Sequence, residues 1–169
     1  MPKSDKKRYR SILIICDMNR CRSPMAEAIL KKMIADKIKV RSAGISANAR
    51  NRGFMSLDAK LALGEDKFYD DFFENFRTTA LIWHRDLIKQ SDLILTMTKE
   101  QKDKVLDFEE ANEKEVYTLK DFARDNNDYK SSILDYDISD PFGREDAAYM
   151  RCKEEIEDCL NKIVEKLLR

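Results

Sequence analysis

Cys16 and Arg22 stand six positions apart in the string Cys16-Asp17-Met18-Asn19-Arg20-Cys21-Arg22-Ser23-Pro24. A cysteine attacks as its thiolate, and a nearby cation or helix N-terminus favours that form. A guanidinium fork matches two oxygens of a phosphoryl group. Either residue alone reads as a buried thiol or a solvent-facing arginine. The flanking chain changes that reading. The apolar run Ser11-Ile12-Leu13-Ile14-Ile15 precedes the string, and Met25-Ala26-Glu27-Ala28-Ile29-Leu30 follows it. Pro24 suits a first helical position and Ser23 the cap before it. A strand should therefore enter a loop that opens into an amphipathic helix, where free backbone N–H groups and the helix dipole converge on an anion.

A second candidate lies far along the chain, in Asp140-Pro141-Phe142. A carboxylate on a loop can protonate a leaving oxygen and then activate water. The competing reading is an Asp-Pro turn with Phe142 plugging the core. Residues 124–140 show no clean period and carry Asp125, Asp128, Asp135, Asp137 and Asp140. Long irregular segments in compact domains are often functional. Asp135 and Asp137, without a Pro-aromatic sequel, read as solvated.

The elements that must position these groups follow from periodicity. Residues 11–15 predict a central parallel strand, apolar on both faces, and residues 24–36 a helix. Residues 39–42 predict a second strand ended by Ala43-Gly44, and residues 45–55 a polar loop. Ser56 should cap a helix running to Leu63 and stopped at Gly64. Phe68, Tyr69, Phe72, Phe73 and Phe76 recur at helical spacing and read as core. Residues 84–90 read as helix, 92–97 as strand, and 115–118 as strand. Thr98 should cap a helix to about Phe108. The final helix, 147–168, carries the stripe Tyr149, Cys152, Ile156, Cys159, Leu160, Ile163 and Leu167. This alternation predicts an α/β three-layer sandwich: a four-stranded parallel sheet with helices on both faces. Ligands bind such sheets beyond the carboxyl ends of the strands, at a switch in strand order.

The chain of 169 residues balances 32 Lys and Arg against 32 Asp and Glu. Zero net charge argues against a broad attraction to nucleic acid or to an anionic membrane. Length predicts one domain at 11–169, preceded by a basic arm, 1–10, with Lys3, Lys6, Lys7, Arg8 and Arg10. The run at 12–15 is too short for a signal or membrane segment, so the expected location is the cytoplasm. Four cysteines do not suggest a disulfide scaffold. Cys152 and Cys159 read as small buried hydrophobes, which weakens a reading that needs a relay of thiols. No metal-ligand spacing stands out.

Asn19-Arg20-Cys21-Arg22-Ser23-Pro24-Met25-Ala26-Glu27 resembles the phosphate-binding loop of low-molecular-weight protein tyrosine phosphatases, a family whose bacterial branch includes protein arginine phosphatases. Asp140-Pro141-Phe142 resembles the family's Asp-Pro-aromatic motif. Arg41-Ser42-Ala43-Gly44, Ser91-Asp92-Leu93-Ile94-Leu95-Thr96-Met97 and Tyr117-Thr118-Leu119-Lys120 resemble its later strands. The resemblance implies attack by Cys16, a phosphocysteine intermediate, a clamp from Arg22 and general acid catalysis by Asp140. It also implies that Asp17, Met18, Asn19, Arg20 and Cys21 cradle the phosphoryl group. Ser23 would donate to the Cys16 thiolate, Asn19 would brace the loop through Ser23 and Ser42, and Phe142 would wall the pocket. No metal or cofactor is implied. The implied partners are a phosphorylated protein and a tetrahedral oxyanion in the loop, with phosphotyrosine as substrate and phosphoarginine as the alternative. Cys21 is either a disulfide partner for Cys16 under oxidation or a spectator.

Three positions depart from the family. Met18 replaces a usual glycine and should crowd the loop. Asp17 replaces an uncharged residue and should oppose thiolate formation unless its carboxylate points away. Thr78 stands where the family carries a loop-bracing histidine, while His84 aligns with a helix start and reads as a surface or capping residue. These changes leave open a catalytically weakened, phosphate-binding relative. Arg20 fits neither the aliphatic residue of the tyrosine enzymes nor the threonine of the arginine enzymes. The loop at 45–52 lacks a walling aromatic, and Arg20, Arg50 and Arg52 suggest acidic or multiply phosphorylated partners.

Overall fold

The computed structural model describes residues 9–124 and 135–169. Most of the predicted basic arm, and Asp125 and Asp128, lie outside the described residues. Strand β1 (Ser11–Cys16) runs through the centre of a four-stranded sheet with β2 (Lys39–Gly44), β3 (Leu93–Thr96) and β4 (Glu115–Thr118). The order is β2-β1-β3-β4 and every pairing is parallel. All six residues of β1 are buried, as a strand covered on both faces requires. Its side chains alternate. Ile12, Ile14 and Cys16 enter one core, while Leu13 and Ile15 enter the other.

The first core is filled by α1 (Arg22–Ile34), α2 (Leu57–Leu63), α3 (Lys67–Asn75), α6 (Leu119–Ala123) and α7 (Asp146–Leu168). The second is filled by α4 (Asp86–Gln90) and α5 (Lys99–Leu106). Single 3-10 turns occur at Leu81–Trp83 and Glu109–Ala111. The predicted three-layer sandwich is the fold observed.

Several local expectations shift. Helix α1 begins at Arg22, with Cys21 at the cap position and no side-chain capping bond there. Ser23 and Pro24 therefore lie inside the first turn, and the Ser23 hydroxyl is free for other work. Nor is α1 amphipathic as expected. Residues 22–30 are all buried, because the sheet covers one side and α7 packs on the other. Ser56 sits at the cap of α2 without a side-chain capping bond, and Gly64 ends the helix at φ 88. Thr98 caps α5 through a full capping box with Gln101. Helix α6 is a short element that follows directly on β4, capped by Thr118, in a stretch the strand pattern alone does not reveal. The aromatics of α3 divide: Tyr69 and Phe76 are buried, Phe72 and Phe73 half-buried, and Phe68 exposed.

Candidate functional site

Residues 16–22 turn at the carboxyl end of β1, beside the point where the sheet's neighbours diverge to β2 and β3. Main-chain bonds from outside fix the loop. The carbonyls of Cys16 and Asp17 accept from the amides of Ile45 and Ser46 at 2.9 Å each, and the Arg20 carbonyl accepts from Ser56 at 2.8 Å. The Cys21 carbonyl starts the helical ladder by accepting from Met25. Peptide groups are planar and trans, so the amide after each tied carbonyl points the opposite way. Gly44 lets this happen: a Cβ there would lie 2.7 Å from the Asp17 carbonyl oxygen and 2.8 Å from the Met18 carbonyl carbon.

Side chains brace the loop from beneath. Asn19 is fully buried and adopts φ 60, a left-handed conformation that asparagine tolerates better than most residues. Its Nδ2 donates to Ser23 Oγ and to Ser42 Oγ, both at 2.8 Å, and its Oδ1 accepts from the Thr79 amide at 3.0 Å. Ser42 in turn donates to Glu27 Oε1 at 2.6 Å, and Lys31 neutralises the other Glu27 oxygen at 2.6 Å. Because Ser23 accepts from Asn19, its own proton is left for Cys16 Sγ, which lies 2.9 Å away. The Asn19 amide donates to the same sulfur at 3.3 Å. The Ser23 hydroxyl and the Asn19 amide thus both face the buried Cys16 sulfur.

Arg22 is buried at the first turn of α1. One terminal nitrogen donates to the Ile138 carbonyl at 2.9 Å, and the other faces two carboxylates, Asp17 at 3.2 Å and Asp140 at 3.7 Å. Ile138 is pinned by its own amide, which donates to Met97 at the end of β3. Asp140 is half-exposed, and its Oδ1 accepts from the Phe142 amide at 3.1 Å. Cys16, Asp17, Met18, Arg20, Cys21, Arg22, Asp140 and Phe142 together line a hollow of about 190 Å³. Phe142 is 68% exposed, so it stands at the mouth and is no core plug.

The chain matches the family model described as "Low molecular weight phosphotyrosine protein phosphatase" over residues 11–169. The chain belongs to this family. It is 34% identical to the protein-arginine-phosphatase of Geobacillus stearothermophilus, over 94% of this chain and 96% of that protein. It is 29% identical to the low molecular weight protein-tyrosine-phosphatase PtpB of Staphylococcus epidermidis, over 90% and 95%. The solved structure of the YwlE arginine phosphatase from G. stearothermophilus superposes with a TM-score of 0.75 at 32% identity, covering 94% of this chain and 92% of that one. The protein is accordingly an enzyme of the low-molecular-weight phosphatase class, a hydrolase.

Within this phosphatase framework the departures have definite places. Thr78 is buried and braces a different loop: its hydroxyl donates to the Arg50 carbonyl at 2.6 Å and accepts from the Gly53 amide at 2.8 Å. The contact to Asn19 comes from the backbone of the next residue, Thr79. His84 is half-buried away from the site, with Nδ1 3.1 Å from the Ala80 carbonyl. Met18 lies half-buried at the hollow and is accommodated. Asp17 turns toward Arg22 and Gln101 Nε2, which donates to its Oδ1 at 3.0 Å. Arg20 is exposed, with Nε bonded to the Phe54 carbonyl, while Arg50 and Arg52 are exposed and do not line the hollow. Asp135 and Asp137 are exposed but bonded. Lys120 grips Asp135 at 2.6 Å and holds its carboxyl below the usual range, and Asp137 accepts from the Lys99 amide.

The remaining thiols are free. Burial pushes the Cys21 thiol up to about 11 and Cys152 to about 12, so both stay protonated at neutral pH. Cys159 is only half-buried. Glu27, Thr79 and Gln101 are supporting residues that sequence reasoning missed. Gln101 carried a signal, since it lies three residues after Thr98, but that signal spoke of a cap and not of Asp17.

Proposed function

We propose that the protein is a single-domain phosphatase, spanning residues 11–169, that removes phosphoryl groups from protein side chains by way of a phosphocysteine. The Cys16 sulfur attacks phosphorus, the bond to the leaving group breaks, and that group takes a proton from Asp140. Water then attacks phosphorus, Asp140 accepts its proton, and the sulfur–phosphorus bond breaks to release phosphate and the thiolate. The inward amides of the 16–22 loop and the Arg22 guanidinium stabilise the charge on the equatorial oxygens, donors fixed before the reaction begins. The observation that carries this reading is the pair of donors on Cys16 Sγ, Ser23 and the Asn19 amide, held by a satisfied buried network. Ser42 acts as the loop support within it.

Phosphotyrosine is the substrate that the family's description and the aromatic at the mouth, Phe142, support. Phosphoarginine is the second reading. It is favoured by the name of the 34% identical relative and by two half-exposed carboxylates, Asp17 and Asp140, beside Arg22. A cytoplasmic location accords with both; among the described residues no helix is long and apolar enough to cross a membrane.

Hydrolysis of a generic aryl phosphate across pH tests the assignment of roles. Wild type should turn over, Cys16→Ser should be inactive, and Asp140→Ala should lose about 10²–10⁴ in kcat. Wild-type turnover no greater than that of Cys16→Ser, with phosphate or vanadate still bound, would make the protein a phosphate-binding relative instead.

A further inference from the structure

Arg22 meets a carboxylate before any substrate arrives. Asp17 is the residue directly after the nucleophile, and its Oδ2 accepts from Arg22 at 3.2 Å. The contact is built and not incidental. Asp17 Oδ1 accepts from Gln101 Nε2 at 3.0 Å. Gln101 is buried, and its own Oε1 accepts from the Met97 and Thr98 amides at 3.0 Å each. The glutamine is therefore fixed by the capping box of α5 and presents its amide to Asp17. The Asp17 side chain is nonetheless 46% exposed and lines the hollow beside Cys16 and Asp140.

A phosphoryl group entering the loop meets an Arg22 guanidinium whose one terminal nitrogen is already paired with Asp17. Gln101 holds Asp17 at this position through a second bond, so the carboxylate stands beside the path of an incoming anion. A phosphotyrosine side chain brings close to two negative charges and nothing to offset the carboxylate. A phosphoarginine side chain brings its own guanidinium, bonded directly to the phosphorus, and guanidinium is the natural partner of a carboxylate. We infer that Asp17 is a specificity-determining residue that penalises phosphoryl groups on neutral leaving groups relative to those carrying a cation next to phosphorus, and so moves the balance from phosphotyrosine toward phosphoarginine. Asp17 makes no bond in the reaction and acts through charge alone. The inference rests on the phosphatase reading for its substrates but not for its test.

Binding in a Cys16→Ser background separates the two questions. Calorimetry with one peptide carrying phosphotyrosine and the same peptide carrying phosphoarginine gives a preference that does not depend on turnover. Adding Asp17→Asn keeps the shape and an acceptor for Gln101 while removing the charge; Asp17→Ser serves as a second neutral variant. Charges about 5 Å apart near a protein surface predict a change of roughly tenfold or more. The phosphotyrosine peptide should bind about tenfold tighter in either neutral variant, with the phosphoarginine peptide unchanged or weaker. Equal tightening of both peptides, or no change in either, overturns the inference. If wild-type enzyme hydrolyses neither peptide, the phosphatase reading fails while the binding ratio still decides the role of Asp17.

Discussion

Asn19 shows how much of the site one residue can organise. Each of its side-chain hydrogen-bonding groups is used within a buried setting, and the result fixes the orientation of Ser23 toward the Cys16 sulfur. A half-satisfied network in such a place costs more than an apolar one, so the complete set is what makes it a rigid support. The string 16–24 made the pairing of Cys16 with Arg22 around one loop legible, because residue types and local spacing carry it. The destination of Asp17 was not legible, since its partner Gln101 lies 84 positions away and no local pattern links them. Burial also keeps two of the other thiols protonated. Cys21 and Cys152 are held neutral in the fold, at about 11 and about 12, whereas an unfolded thiol ionises near 8.5. The folded state therefore binds more protons above that value, and stability must fall as pH rises from about 8.5 toward the folded values. Urea unfolding at pH 8 and pH 10 should show this loss, up to about 1 kcal/mol per pH unit for each thiol. A Cys152→Ala variant, though less stable at both, should lose less between them; an identical loss would place the cause elsewhere.

At the scale of elements, the position of Cys16 is a matter of where β1 stops and α1 starts. The sequence pattern located both, but it put the helix start two residues late. Ser23 and Pro24 look like a cap and a first helical residue, yet the loop consumes the Ser23 hydroxyl and lets Arg22 open the helix. A functional contact displaced the ordinary capping chemistry. Strand β2 contributes through Gly44, which approaches the loop closely enough to exclude any side chain. Its neighbours are backbone atoms of Asp17 and Met18, which cannot swing aside as a flexible side chain can. Gly44→Ala should thus lower stability by about 1–3 kcal/mol and reduce kcat beyond what that loss explains, measured at a temperature where the variant is fully folded. Wild-type kcat in the variant would mean that the loop tolerates displacement. Asp135 and Asp137 are held by a different device, Lys120 on Asp135 and the Lys99 amide on Asp137. Sequence reading treated these two aspartates as solvated because their partners sit on other elements.

The whole molecule brings together two motifs separated by more than a hundred residues. The parallel order β2-β1-β3-β4 places the end of β1 beside the end of β3, and Met97 at that end receives the Ile138 amide. Ile138 then accepts from Arg22, so the sheet itself aligns the Asp140 segment with the Cys16 loop. The alternation of strands and helices predicted a parallel sheet with helices on both faces, but not the order of its strands. The pairing of loop with Asp140 came from resemblance, since nothing local in either motif names the other. Helix α7 closes the arrangement by packing on α1, behind the residues that carry the chemistry. The proposed mechanism is covalent: Cys16, and no other group, takes the phosphoryl. Rapid quenching of the wild-type enzyme during turnover of an aryl phosphate, followed by mass spectrometry of its peptides, tests it most directly. A phosphoryl group should appear on the peptide holding Cys16 and be absent in Cys16→Ser. A phosphoryl group on any other residue, or steady turnover that survives Cys16→Ser, would contradict it.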